Sequence, residues 1–183
     1  MLKFILLGFL NYCPQTGYQL KVFMDESTGH FWHAYHSQIY TTLRQLERDG
    51  LVRSDEVADA GDKLNRRVYH ITAVGQEALR EWLAQPLTEP VAAKEDLLVR
   101  LFFSGQRTTD DVLDELRLQR TLHTAKLRLY ERLSADDLHP ANMPRDVLRR
   151  EAALWGATLR FGLLYEQMYV QWLSETIEQL ERS

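Results

Sequence analysis

The C-terminal segment constrains the fold most strongly, because residues Asp146 to Leu180 can form one uninterrupted helix. At 1.5 Å per residue such a helix is about 50 Å long. A compact monomer of this chain length is only about 40 Å across, so the helix would protrude unless a second molecule covered it. The segment therefore predicts an elongated element that a partner covers.

The composition of this helix leads to the same expectation. Between Phe161 and Leu173 the only strongly polar side chains are Glu166, Gln167 and Gln171. A helix that is apolar over most of its circumference is buried on more than one side. We expect an obligate two-fold homodimer in which the same helices of both copies meet.

A second long helix is expected to begin at Thr108 or Thr109 and to run to about Leu133. Four of its residues follow the spacing of a coiled-coil seam, which again favours helix pairing. These residues are Leu118, Leu122, Ala125 and Leu129.

Aromatic residues are concentrated in the C-terminal helix. Rings with a few polar tips suit a pocket for a flat small molecule, whereas aromatics at helical spacing more often form a core or a dimer interface. Both interpretations remain open. The residues concerned are Trp155, Phe161, Tyr165, Tyr169 and Trp172.

Two prolines divide the chain into domains. Pro86 and Pro90 lie between helical patterns, and proline interrupts helices. We expect a mixed domain over residues 1–86 and a helical domain over residues 87–183, which dimerises and is a candidate for effector binding.

The N-terminal domain is expected to open with an apolar helix from Leu2 to Leu10. Thr16 and Gln19 then form a capping box, which starts a second helix. This helix is expected to end near Gly29, with the glycine in the left-handed conformation of a C-cap.

The third helix, from about His36 to Asp49 with Gly50 after it, separates into two faces. Ile39, Leu43 and Leu46 face a core. The opposite face carries Ser, Thr, Gln and Arg, which can donate to phosphates and can read base edges. An ordinary solvated face has the same composition, so the following segments must decide between the two interpretations. The residues of the outward face are Ser37, Gln38, Thr41, Arg44, Gln45 and Arg48.

Two alternating segments after this helix, Leu51 to Arg53 and Arg67 to Ile71, predict a β-ribbon with a polar tip. Thr72 then caps another helix. The order helix, helix, helix, strand, strand, helix is the winged helix-turn-helix pattern, in which the third helix enters the major groove and the ribbon, or wing, reaches the DNA backbone. Cations lie where the wing would need them, at Lys63, Arg66 and Arg67.

Charge and composition argue against several other classes of protein. The net charge of −4 disfavours non-specific coating of nucleic acid. Cys13 is the single cysteine, which rules out an intrachain disulfide framework and suits a reducing compartment. The longest apolar run is too short to span a bilayer, and the N-terminus lacks the features of a signal peptide. We expect a cytoplasmic protein without membrane contact.

Enzymatic and metal chemistry find little support. The sequence has no nucleophile elbow, no Gly-rich phosphate loop and no His-Glu-x-x-His motif. His30, His33 and His36 have a spacing that could suit a metal, but no acidic or thiol ligand lies in that run. Packed or hydrogen-bonded histidines are the commoner interpretation, and we expect neither a cofactor nor catalysis.

Several separated motifs carry a family resemblance. They are Gly17 to Leu20, Phe31 to Ala34, His36 to Tyr40, Leu43 to Leu46, Gly50 to Val52, and Arg67 to Thr72 with Gly75 and Trp82. In order and spacing they resemble the PadR family of transcriptional regulators across the first half of the chain. The second half is similar to the larger, AphA-like subgroup of that family, whose C-terminal helices form an antiparallel coiled-coil dimer.

The resemblance implies a homodimer that binds a dyad-symmetric DNA operator, usually as a repressor, and in some members it implies a small aromatic effector. Thr41 departs from the family pattern, because many relatives have proline after the tyrosine at position 40. The candidate DNA contacts are Tyr18, His36, Ser37, Gln38, Tyr40, Thr41, Arg44, Arg48, Lys63, Arg66 and Arg67.

Two other functions fit the same fold. A winged-helix domain can bind a protein partner in place of DNA, in keeping with the acidic net charge. The C-terminal helices could alternatively hold an aromatic substrate for an enzyme. Loss of DNA binding on replacing Arg44 would argue against the first alternative, and binding without turnover would argue against the second.

Overall fold

The structure, a computed structural model, describes residues 1–29, 31–57, 66–90, 95–134 and 145–182. The chain divides into two compact units. The first comprises Met1–Leu87 and Ala135–Trp155, and the second comprises Thr88–Ser134 and Gly156–Ser183.

The first unit is a helical domain with a small antiparallel sheet. The strands lie in the order β1-β3-β2, with Gln15 opposite Tyr69 and Val52 opposite Ile71. The two ribbon strands were predicted; the two-residue β1 was not, because it is too short to show a periodicity. The elements are α1 (Leu2–Tyr12), β1 (Gln15–Thr16), α2 (Gly17–Ser27), α3 (His36–Arg48), β2 (Val52–Val57), β3 (Arg66–Ile71) and α4 (Ala73–Ala84).

The core of this unit gathers the apolar faces of its helices against the sheet. The inward face of α3 is the predicted one, since Ile39, Leu43 and Leu46 are almost fully buried. Burying such side chains is the main favourable term for a domain of this kind. The core also contains Leu6, Leu7, Leu10, Leu20, Phe23, Met24, Val52, Tyr69 and Leu79.

The predicted capping box of α2 is confirmed. The Gln19 backbone N–H donates to Thr16 Oγ1 at 3.2 Å, and the Thr16 N–H donates to Gln19 Oε1 at 2.9 Å. The left-handed glycine predicted at the other end of α2 is wrong. Among the described residues only Gly50 has a positive φ, at 70°. The helix ends at Ser27, and the hydroxyl of the C-cap residue Thr28 donates to the Met24 carbonyl at 3.1 Å. A β-carbon at Gly29 would be 2.5 Å from the Asp25 carbonyl oxygen, so glycine is needed there for space.

Gly75, in the first turn of α4, packs closely against the segment that follows α3. Its N–H donates to the Thr72 hydroxyl at 3.1 Å, and that hydroxyl donates to the Gly50 carbonyl at 2.7 Å. A β-carbon at Gly75 would collide with the Leu51 carbonyl oxygen. This position therefore requires glycine for space, which explains why it is part of the sequence pattern.

The second unit is helical. It contains α5 (Asp96–Phe102), a 3₁₀ turn (Ser104–Gln106), α6 (Thr109–Tyr130) and the part of α7 (Arg145–Glu181) that begins at Gly156. The single C-terminal helix was predicted to within one residue at each end. None of the helices within the described ranges has both the length and the apolarity needed to cross a membrane. The buried core consists of Val112, Leu113, Leu116, Tyr169, Leu173 and Ile177.

The seam predicted on α6 is largely exposed in the single chain. Leu118, Leu122 and Leu129 are each more than half exposed, and Ala125 is exposed as well. Part of α7 is similar, because Leu154, Phe161 and Met168 are also more than half exposed. Large apolar side chains repeated along a helix face in this way are typical of an interaction surface.

Candidate nucleic-acid interface

The outward face of α3 presents hydrogen-bond donors to solvent. Ser37, Thr41 and Arg44 are exposed, while the apolar residues of the helix point inward. Within the part of the chain that the structure describes, Arg44 has no hydrogen bond or ion pair. Its guanidinium is therefore available for bidentate contact with a guanine or a phosphate.

The first turn of α3 uses one of the predicted contact residues for capping. The Tyr35 backbone N–H donates to Gln38 Oε1 at 3.0 Å, so the oxygen of this side chain is occupied while its NH₂ group remains a donor. His36, the first residue of the helix, is exposed beside it. Gln38 can still approach a base or a phosphate through its NH₂ group.

The last turn of α3 bonds to itself. Arg48 donates to Gln45 Oε1 at 2.7 Å, and Gln45 Nε2 donates to Asp49 Oδ1 at 2.7 Å. Because the Arg48 guanidinium is part of this series of hydrogen bonds, which ends at the Asp49 carboxylate, it is less available to DNA. The available donors therefore precede this last turn and extend from Ser37 to Arg44 along the outward face of α3.

Tyr40 lies beside the start of α2. A β-carbon on Gly17 would be 2.5 Å from Tyr40 Cε1, so the ring rests against the α-carbon of Gly17. Tyr40 is 36% exposed, and Tyr18 in the first turn of α2 is 64% exposed. The packing presents both phenols at the surface, and sequence reasoning did not foresee that Gly17 positions one of them.

The wing is tied to α3 through an acidic residue that sequence reasoning missed. Glu47 on α3 accepts from the Ser54 hydroxyl at 2.5 Å and lies 3.8 Å from the Arg67 guanidinium. Arg67 is also 3.7 Å from Glu56. The charge of Arg67, predicted to contact DNA, is thus partly neutralised within the protein. Arg66 is exposed at the start of β3, and Lys63 lies outside the described residues.

The histidines near α3 do not form a described metal site. His33 and His36 are exposed, and His30 lies outside the described residues. No group of three potential ligands within metal-binding distance occurs among the residues that the structure covers.

The five aromatic residues of α7 fall into two groups. The ring of Trp155 contacts that of Tyr12 in the first unit, with centroids 5.7 Å apart. Burial, with the nearby Glu151 carboxylate, raises the pKa of Tyr12 to about 12. In the second unit Tyr169 is buried and contacts Tyr165 and Trp172, while Phe161 is 61% exposed. The aromatics therefore do not form one pocket.

Glu95 organises two of these aromatic residues. The Tyr165 hydroxyl donates to Glu95 Oε1, and the Tyr169 hydroxyl donates to Glu95 Oε2 at 3.4 Å. Burial, followed by the Glu95 charge, raises the pKa of Tyr169 to about 12, and burial with the hydrogen bond to Glu95 also raises the pKa of Tyr165. Both phenols are neutral donors at physiological pH.

Glu166 is a buried carboxylate in the same unit, at 1% exposure. It lies 2.5 Å from His123 Nδ1 and 3.0 Å from Lys126 Nζ. Burial is the largest influence on Lys126 and opposes its charge, but the hydrogen bond to Glu166, the charge of Glu166 and the nearby Tyr130 together outweigh it and leave the pKa of the lysine raised. The sequence marked Glu166 only as a rare polar residue in an apolar helix.

A helix with an outward row of donors, followed by a two-stranded ribbon and a long helical extension, defines a winged helix-turn-helix protein. Residues 6–81 match the sequence profile of the "Transcriptional regulator PadR-like family", and residues 93–181 match that of "Virulence activator alpha C-term". The chain belongs to the PadR-like family of transcriptional regulators, in the subgroup with the AphA-type C-terminal domain. Its family consists of regulators and not of enzymes.

Similarity to known regulators extends over nearly the whole length of the chain. The negative transcriptional regulator PadR of Bacillus subtilis is 27% identical over 186 residues, covering 100% of this chain and 98% of that protein. Its crystal structure in complex with operator DNA matches with a TM-score of 0.77 over 98% of both chains. Its structure with p-coumaric acid, at 24% identity, matches with a TM-score of 0.71, also over 98% of both chains. The virulence activator AphA of Vibrio cholerae is 26% identical and matches with a TM-score of 0.74 over 100% of this chain and 99% of that one.

Proposed function

We propose that this protein is a homodimeric repressor that binds a dyad-symmetric DNA operator and responds to a small ligand. The observation that carries the proposal is the outward face of α3. Exposed donors there, with an Arg44 that has no partner among the described residues, stand opposite a buried apolar stripe. The Bacillus subtilis relative, called a negative regulator and solved with operator DNA, supports the same assignment.

The candidate DNA contacts fall into three groups. Ser37, Thr41 and Arg44 read base edges, with the Gln38 amide as an additional donor. We assign Tyr18, His36, Tyr40 and Arg66 to the phosphates, where contacts fix the position of the protein without selecting sequence. Lys63 remains a candidate for the same role from the sequence alone. Arg48 and Arg67 contribute less, since intramolecular partners hold their guanidinium groups.

The dimer sets the geometry of binding. A second copy covers the exposed apolar residues of α6 and α7, and residues 87–183 thereby act as the dimerisation domain. Two α3 helices then enter successive major grooves about 34 Å apart. Repression follows because the bound dimer occupies a promoter.

The response to a ligand requires two states of the dimer. A small aromatic molecule bound among the helical residues would shift the population toward one separation of the two reading heads. The Bacillus subtilis relative was solved with a phenolic acid, which supports an effector of this size.

Fluorescence anisotropy tests the proposal with the DNA upstream of the protein's own gene and a scrambled duplex of equal length. Titrations at salt concentrations from about 50 to 200 mM should show a steep loss of affinity. We expect the native duplex to be preferred about 10³-fold or more. Equal, weak binding to every upstream fragment in the genome would instead assign the fold to a protein partner.

A further inference from the structure

A cavity of about 580 Å³ lies in the second unit, among residues of α5, α6 and α7. This volume is within the range of small-molecule sites. All of the residues that line the cavity belong to the second unit, so the fold of that unit alone forms it. The lining residues are Glu95, Asp96, Leu97, Arg100, Glu115, Gln119, His123 and Tyr169.

Negative charge dominates this cavity. Of its three carboxylates, Glu115 is paired with Arg107 and lies 3.8 Å from Arg100. Glu95 and Asp96 have no ion-pair partner among the described residues. Among the described lining residues, Arg100 carries the only permanent positive charge, and its side chain is 71% exposed. A ligand that enters therefore meets two carboxylates that no described residue pairs with.

Glu95 is held in a fixed orientation by the two phenols that donate to its oxygens. These donors are neutral, so they position the carboxylate without cancelling its charge. A fixed carboxylate beside an aromatic face is a combination that recognises organic ammonium groups.

His123 and Tyr169 form the aromatic part of the lining. The ring of His123 stacks on Tyr169 with centroids 3.9 Å apart and an interplanar angle of 10°. Its Nδ1 is engaged by the buried carboxylate of Glu166 at 2.5 Å. Because Nδ1 is taken by Glu166, only Nε2 of this ring is left for a ligand. The cavity thus places the carboxylates of Glu95 and Asp96 beside an aromatic surface.

We propose that this cavity binds a primary amine carried on a small apolar body. The ammonium group lies against Glu95 and Asp96, and the apolar body packs on Tyr169 and Leu97. The inference rests on the proposed function, because it assigns the effector site of a ligand-responsive regulator.

Isothermal titration of the full-length protein tests the site with phenethylamine, using 2-phenylethanol and phenylacetate as matched neutral and anionic probes. We expect the amine to bind at least about 10-fold more tightly than the alcohol, and the anion not to bind, because carboxylates favour only the cation. Equal affinity for the amine and the alcohol, or no binding of the amine, would overturn the proposal.

Two variants locate the binding. Asp96→Asn removes an exposed charge without disturbing the core, and Glu95→Gln removes the charge that the phenols orient. Each should weaken amine binding about 10-fold, whereas Glu131→Gln, outside the lining, should leave it unchanged. Amine affinity that survives the Glu95→Gln/Asp96→Asn double variant would contradict the assignment.

Operator binding of the same preparation separates this inference from the proposed function. Operator binding without amine binding would overturn only the cavity assignment. Amine binding without any DNA binding would support the cavity and overturn the regulator.

Discussion

The ring of Tyr40 rests on the α-carbon of Gly17. A β-carbon at position 17 would be 2.5 Å from Cε1 and 2.8 Å from Cζ of that ring. The contact joins the start of α2 to the outward side of α3, and the atoms that would collide belong to the far end of a side chain that can rotate. Gly17 therefore determines where the Tyr40 phenol lies more than whether the domain folds.

Gly17→Ala should weaken operator binding about 10-fold, because the displaced phenol loses its DNA contact. Stability should change little, since the ring can move toward solvent. Gly8→Ala is the matched control, because nothing lies within 4 Å of its β-carbon position. Anisotropy and urea unfolding report the two effects separately. If Tyr40→Ala and Gly17→Ala weaken binding additively, the two residues do not act through one contact.

The exposed α6 seam leads to a prediction about assembly. Leu122→Glu should convert the dimer to a monomer, because a charge at the centre of an apolar interface is left without a partner. Light scattering after gel filtration measures the mass. Arg128→Glu, which changes charge at an exposed polar position of α6, should leave the dimer intact. A dimeric Leu122→Glu protein would place the interface elsewhere.

The buried carboxylate of the second unit should matter for stability. Glu166→Gln keeps the shape but leaves His123 and Lys126 without a negative partner, which should cost about 1–3 kcal/mol. Glu175→Gln, on the exposed side of the same helix, should change stability by less than about 0.5 kcal/mol. Urea unfolding at equal protein concentrations measures both. Equal effects would show that the buried ion pair contributes nothing specific.

The raised pKa of Tyr169 predicts a loss of stability in alkali. The folded state keeps the phenol protonated up to about pH 12, whereas the unfolded chain ionises near 10, the ordinary tyrosine value. The contribution is therefore complete below pH 10 and is lost as the pH rises toward 12. Unfolding measured from pH 9 to 11 should show a shallower decline in Tyr169→Phe than in the native protein. Identical slopes would contradict the assignment.

The faces of single helices could be predicted from the sequence because each depends on a period within one element. The outward row of α3, the capping box at Thr16 and the extent of α7 follow from local rules. The strand order is less accessible, since β1 is two residues long and owes its pairing to β3.

Contacts between elements could not be predicted in the same way. The approach of Tyr40 to Gly17 and the bonds from Glu47 to Ser54 and Arg67 depend on how two elements pack. The hydrophobic period of a single element does not determine which residues of two elements come into contact. Glu166 illustrates the difference. The sequence shows it as one of few polar residues in an apolar stretch of α7, but its partners His123 and Lys126 lie on α6.

The division of the α7 aromatic residues between the two units could not be predicted, for a related reason. Helical spacing places Trp155 and Tyr169 on the same element, but their contacts are made in different units. A sequence pattern shows which rings share a helix and not which neighbours they meet.

If the outward face of α3 from Ser37 to Arg44 reads DNA, replacing Arg44 must weaken operator binding more than replacing Arg48 does. Operator and scrambled duplexes should therefore be titrated with the native protein, Arg44→Ala and Arg48→Ala. Arg44→Ala should lose about 1–3 kcal/mol of operator affinity and lower the preference over scrambled DNA, with the dimer intact. Arg48→Ala should lose less, because its guanidinium is already bonded within the helix. Unchanged operator affinity in Arg44→Ala would remove α3 from the reading role.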